Sequence, residues 1–363
     1  MKTIGKIAAF IAASMLAAVS CGNPSQKNCR ILVGTYTAGG QSCGVYFYEL
    51  NIETLESTLL DTAGAGNPSF VIADGTKAYS VSEFSDGTQG VYSYALADSS
   101  VDVTGFQGGA GADPCNLLIA GGCLLTSDYS GGTLSVYPVD SDGAVGPLTG
   151  RFDPRSLTPD APEWHIHCAA LSPDGEYVFV TDLGADAIYR CRVEDLPQAE
   201  FTVAYRFDAT LHPGPRHLAF SPDGRFAYLI GETGDHLSTF AYSDGGLQHL
   251  QTVKAYDGDG CGSADIHITP DGRFLYTSHR LKEDGIAVFS LDAETGLPVA
   301  QSYCCTGVHP RNFAITADGT LLLCACRDSN AIEIYAIDAE SGALTFTGKS
   351  IEVPAPVCVQ VLR

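Results

Sequence analysis

Short apolar runs rich in Val, Leu, Ile, Phe and Tyr recur along this chain, separated by clusters of Gly, Asp, Ser and Pro. Many of these runs alternate polar with apolar positions, the period of a half-buried strand. Pairs of runs are joined by Gly-containing turns, mostly Asp-Gly, which supply the positive φ that a tight hairpin needs. The clearest pairs are His167–Asp182, Arg216–Glu232 and Asp265–Arg280, and weaker copies lie at Asn67–Glu83, Cys115–Asp128 and Arg311–Arg327. Pro173, Pro222, Pro270 and Ala317 occupy the same turn slot, 49, 48 and 47 residues apart. Such a period, built from short strands, predicts a solenoid or a propeller. After a hairpin come two more strand-like stretches, as in Gly285–Asp292 and the run through Ser302–Cys305. Four antiparallel strands per repeat make one propeller blade. Sustained helical periodicity is confined to the N-terminal segment.

The phase of the repeat also predicts how the ring closes. Ile31–Tyr36, Gly44–Leu50 and Glu56–Asp61 read as the second, third and fourth strands of a blade whose first strand is missing. Pro356–Leu362 reads as an orphan first strand. The two chain ends therefore share one blade, which leaves no free sheet edge. The expected architecture is an all-β, seven-bladed propeller forming one domain over residues 30–363.

Residues equally far from a hairpin turn face each other across its two strands. Counting outward from each Asp-Gly places His167 opposite Asp182, Arg216 opposite Glu232 within one residue, and Asp265 near Arg280. The same count sets Arg311 near Arg327, Asn67 near Glu83 and Cys115 near Asp128. All these ends point away from the turns and converge on one mouth of the central channel. His167, Arg216, His217, Glu232, His267 or its neighbours, His279, Arg280 and Arg311 are its expected polar lining. Arginine forks bind carboxylate or phosphate at two points, and a neighbouring His or Glu supplies a general acid or base. The mouth thus suits an anionic small substrate attacked by water. Two plainer readings stand beside this one: Arg216 and Glu232 as an inter-strand salt bridge, and His167 as a strand cap against Asp182.

Charge and export signals narrow the picture. The formal net charge is −22, and −24 once Lys2 and Lys6 are removed, since residues 1–20 hold no acid. So acidic a chain excludes nucleic-acid binding through a basic footprint. Residues 1–20 read as a signal peptide: Lys2 and Lys6 before the apolar run Ile7–Ala18, then Ala18-Val19-Ser20-Cys21. This resembles a lipoprotein signal in which Cys21 is acylated, although Ala18 stands where a larger apolar residue is usual. Residues 21–29 then serve as a tether, and the expected address is the periplasmic or outer side of a bacterial membrane. Of the 13 cysteines, those in strand-like runs (Cys168, Cys191, Cys324, Cys326, Cys358) are expected as buried free thiols.

Several stretches carry a family likeness. Val33-Gly-Thr-Tyr-Thr37, Asn67-Pro-Ser-Phe70, Asp182-Leu-Gly-Ala-Asp186, Gly214-Pro-Arg-His-Leu-Ala-Phe220, Asp271-Gly-Arg-Phe-Leu-Tyr276 and His309-Pro-Arg-Asn-Phe313 resemble the seven-bladed propeller lactonases. That family includes bacterial 6-phosphogluconolactonases and the fungal carboxy-cis,cis-muconate cyclase. The resemblance implies functional roles for His167, Arg216, Glu232 and Arg280, with Arg311, His217, His279 and Asp182 as substrate-binding candidates. It also implies hydrolysis of an anionic sugar lactone without metal or other cofactor, Glu232 or His167 serving as base. Departures fall at the rim: Ser278-His279-Arg280 replaces Ser-Asn-Arg, Pro114-Cys115-Asn116 replaces Pro-Cys-His, and Ser127-Asp128-Tyr129 replaces Ala-Asn-Tyr. Two alternatives stay open at this stage, a lyase that forms or opens a lactone and a non-catalytic, surface-anchored binding propeller.

Overall fold

The structure, a computed structural model, describes residues 27–208, 210–256, 258 and 262–362. The segment expected to be a signal peptide and Cys21 lie outside the described residues. Seven four-stranded antiparallel sheets form the blades. Six are continuous in sequence, and the seventh combines Pro356–Val361 with Asn28–Thr35, Gly44–Asn51 and Ser57–Gly64. Pairs such as Leu32 with Gln360 and Val33 with Val359 close the ring, as the phase of the repeat predicts. The first strand of the domain begins at Asn28, within the expected tether. Helix among the described residues is limited to three short 3-10 turns.

The turn residues explain the hairpins. In the Ser221–Phe226 turn the Ser221 hydroxyl donates to Asp223 at 2.6 Å and accepts the Phe226 amide at 3.0 Å. Asp223 also accepts the Arg225 amide, and Gly224 sits at φ +73°, open to glycine without strain. Thr269, Asp271 and Gly272 repeat the arrangement one blade on. Arg225 and Arg273, exposed beside these turns, each donate to a carbonyl of the next blade, Ala293 and Ala339 respectively.

Second strands such as Phe226–Gly231 and Leu321–Cys326 are buried at every position. They pack against neighbouring blades on both faces, which is why they read as unbroken apolar runs rather than alternating ones. The core therefore lies between blades; one cluster joins Leu125, Leu134 and Val136 of one sheet to Val178, Val180 and Tyr189 of the next. Tyrosines pin the blades together, Tyr228 to the Gly296 carbonyl and Tyr276 to the Gly342 carbonyl, both at 2.8 Å. The eleven described cysteines are all free thiols, and most are buried. Removing residues 356–362 would leave the inner edge of Asn28–Thr35 unpaired. Such a truncation is expected to abolish the single cooperative thermal transition and to cause aggregation, read by circular dichroism and size-exclusion chromatography.

Candidate active site

The inner strands break register just where they reach the mouth. Bulges fall between Pro114 and Asn116, Ile166 and Cys168, Pro215 and His217, Ser263 and Ile266, and Pro310 and Asn312. A bulged residue drops out of the ladder and its strand bends, which re-aims its side chain. Four of the skipped residues are Cys115, His167, Arg216 and Arg311, three of which line one cavity.

That cavity, of about 270 Å³, is bounded by Glu83, Cys115, Tyr129, His167, Glu232, Arg280, Leu281 and Arg311. Glu232 is central to it. Its Oε2 accepts from Arg216 Nε at 2.7 Å, and its Oε1 lies 3.1 Å from Arg280 Nη2. Arg216 is only 1% exposed, and its Nη1 donates to the Ala264 carbonyl. Arg280 Nε donates to the Gly262 carbonyl at 3.1 Å. Arg311 lies over the Tyr36 ring and 3.9 Å from Glu83, whose carboxylate accepts from the Tyr36 hydroxyl at 3.1 Å. His167 meets the edge of Tyr129, and its Nδ1 lies 3.9 Å from the Cys115 thiol. Leu281, 63% exposed at φ +80°, forms an apolar lip.

Three guanidiniums against two carboxylates leave an excess positive charge in a strongly acidic chain. Burial opposes ionisation of Glu232, yet Arg216, Arg280 and Arg311 together hold its carboxyl below the usual value. Burial, reinforced by the charge of Arg216, pushes His167 well below the ordinary histidine range, so it is neutral at pH 7. Burial pushes the Cys115 thiol far up, which makes it a poor nucleophile. A neutral imidazole, an ionised carboxylate and fixed guanidinium donors around one cavity can bind an anion and stabilise an oxyanion.

Comparison with known proteins gives the family. The family model "Lactonase, 7-bladed beta-propeller" matches residues 30–361. The chain belongs to the seven-bladed propeller lactonase family. It is 31% identical to the 6-phosphogluconolactonase of Bacillus subtilis over 91% of this chain and 97% of that protein. Among solved structures, a candidate 6-phosphogluconolactonase from Bacteroides uniformis is 42% identical with a TM-score of 0.87, covering 93% of this chain and all of that one. The periplasmic gluconolactonase PpgL of Pseudomonas aeruginosa is 27% identical with a TM-score of 0.84, covering 93% of this chain and 99% of the other.

Within this propeller lactonase, His167, Arg216, Glu232, Arg280 and Arg311 are brought together as expected, whereas four candidates sit elsewhere. His267 pairs with Asp265 at 3.0 Å and lines the cavity beside the Pro222 and Pro270 turns instead. Asp182 is fully buried and faces Ile166, not His167, because of the bulge. Its carboxylate accepts the amides of His165, Gly184 and Ala185 and the Tyr189 hydroxyl, so it organises a loop and touches no substrate space. His279 points away from the mouth because its neighbour Arg280 points towards it. It lies between the hydroxyls of Ser263 and Thr277, each 2.9 Å away, and against Tyr256. His217 lies beneath the arginines, with Nδ1 2.7 Å from Asp265. Arg327, expected beside Arg311, pairs outward with Asp328. Tyr129 and Leu281 went unrecognised as lining, and Tyr36 as the partner of Arg311 and Glu83 behind it. Each stands one residue beyond a strand end or a recognised rim residue, and that position is their only signal in the sequence.

Burial pushes His279 down to about 3. Below the ordinary value of 6.5 the unfolded chain therefore takes up a proton that the folded chain refuses. Stability should fall as pH drops from 6.5, by about 1.4 kcal/mol per pH unit for such a histidine. His279→Asn is expected to flatten this decline, measured as unfolding free energy in urea at pH 7.5, 6 and 5.

Proposed function

We propose that this chain is a lactone hydrolase of the 6-phosphogluconolactonase type. The observation that carries the reading is the Glu232 carboxylate bridging two buried guanidiniums beside a neutral histidine at one cavity. Arg216 and Arg280 face the carbonyl oxygen of the bound lactone. His167 Nε2 accepts a proton from water as the water oxygen adds to the carbonyl carbon. The resulting oxyanion is stabilised by the guanidiniums, whose positions are already set. The ring C–O bond then breaks, and the imidazolium of His167 returns the proton to the departing alkoxide. One water is consumed and a hydroxy acid is formed.

Glu232 has both oxygens committed to arginine, so its role is to hold the two guanidiniums in place rather than to serve as base. Arg311, whose contact with Glu83 is long at 3.9 Å, is the guanidinium most available for a distal phosphate. The comparisons lend no support to the lyase or the binding-propeller reading. Hydrolysis of 6-phosphogluconolactone and of unphosphorylated gluconolactone, corrected for spontaneous opening, tests the proposal. His167→Asn, Glu232→Gln and Arg280→Ala should each lower kcat about a hundredfold, while Cys115→Ala should stay within about threefold if water and not thiol attacks. Wild-type rates equal to the blank on both lactones would remove the hydrolase reading.

The address is a separate proposal, supported by Lys2, Lys6, the apolar run Ile7–Ala18 and Cys21. Acylation of Cys21 would tether the propeller to a membrane through a short linker. Cys21→Ser is expected to move the protein from the membrane fraction to the soluble fraction of an expressing bacterium.

A further inference from the structure

We infer that Asp265 and His217 form a positioning pair that sets the orientation of Arg216, and through it the oxyanion-binding face of the site. This rests on the hydrolase reading for its catalytic consequence, but its geometric basis is independent.

Arg216 Nη1 lies 3.2 Å from His217 Nε2. A guanidinium can only donate, so the lone pair of His217 must be on Nε2 and its proton on Nδ1. His217 Nδ1 in turn lies 2.7 Å from Asp265 Oδ1. An ionised carboxylate only accepts, so Asp265 selects the tautomer that Arg216 requires. Asp265 is itself held on all sides. Its Oδ1 also accepts the Ile266 amide at 2.9 Å, and its Oδ2 accepts from His267 Nε2 at 3.0 Å, the Phe313 amide at 3.2 Å and the Asn312 side-chain amide. Asn312 Oδ1 accepts the Val359 amide at 2.7 Å. The chain of contacts thus runs from Arg216 through inner strands Pro215–Phe220, Ser263–Ile268 and Pro310–Ile315 to the ring-closing strand Pro356–Val361.

Packing alone does not explain this arrangement. A histidine that merely filled space would have no need to aim a bare nitrogen at an arginine. The charges around His217 are Arg216, Asp265 and His267, with His167 5.3 Å away ring to ring. Burial, followed by the charge of Arg216, pushes His217 down to about 4, which keeps Nε2 free of a proton at neutral pH. Protonation there would set two donors against each other and turn Arg216 off Glu232.

The test uses two substitutions of His217 and one of Asp265. His217→Gln retains an acceptor for Arg216, whereas His217→Phe keeps the bulk and loses it. With Gln, kcat should stay within about threefold of wild type, and with Phe it should fall about tenfold to a hundredfold with KM little changed. Equal losses in both, tracking their melting temperatures, would reduce His217 to a packing residue and overturn the inference. Nitrogen-15 NMR of the full mature chain supplies a readout independent of turnover. His217 should show a protonated Nδ1 and bare Nε2 in the wild type, and the opposite tautomer in Asp265→Asn. The Arg216 Nε–H resonance should be protected in wild type and Gln and exchange rapidly in Phe. A wild-type His217 protonated on Nε2 would refute the positioning pair whatever the activity. Protected Arg216 and the Nδ1–H tautomer without lactone turnover would uphold the pair and sink only the hydrolase reading.

Discussion

Closure of the ring by Pro356–Val361 against Asn28–Thr35 is the constraint on which the rest depends. A propeller blade cannot bury both of its faces alone, and the apolar clusters are shared between adjacent blades. An open ring would expose one inner edge and two blade faces. Closure also sets the diameter of the channel, and so the distances between side chains arriving from different blades. Arg216, Arg280 and Arg311 come from three successive repeats, yet two of them meet one carboxylate. The ring-closing strand takes part directly, because Val359 is hydrogen-bonded to Asn312, which holds Asp265.

Burying cationic groups in a channel mouth is costly unless they are paired and hydrogen-bonded. Glu232 offsets part of that cost for Arg216 and Arg280, and the Ala264 and Gly262 carbonyls satisfy further donors. The site retains an excess of positive charge although the chain as a whole carries a formal net charge of −22. Against that negative background the guanidiniums at the mouth attract an anionic substrate, which favours entry there.

The bulges turn a structural repeat into a functional one. A regular strand alternates its side chains, so only every second residue could face the channel end. Skipping Cys115, His167, Arg216 and Arg311 from the ladder releases the residue at the strand tip from that alternation. The same device recurs around the ring, so the mouth is built from equivalent positions bearing different chemistry. The turns at the opposite end share Ser/Thr-Pro-Asp-Gly in three blades and Thr-Ala-Asp-Gly in a fourth, because their task is conformational.

Architecture was legible in the residues because it rests on local, repeated chemistry. Alternating apolar runs, Asp-Gly turns and a period near 48 residues specify strands, hairpins and blades, and the incomplete first repeat specifies the shared blade. The convergence of His167, Arg216, Glu232, Arg280 and Arg311 followed from turn phase. What the residues did not disclose was side-chain direction. Asp182 and His279 counted as mouth residues, and the fold turned both inward: a one-residue bulge shifts register, and one step along a strand reverses a side chain. The partnership of His217 with Asp265, 48 residues away, likewise exists only once the blades are assembled. Short-range pattern determines which elements form, while contacts across blades depend on angles and spacings that only the closed ring defines.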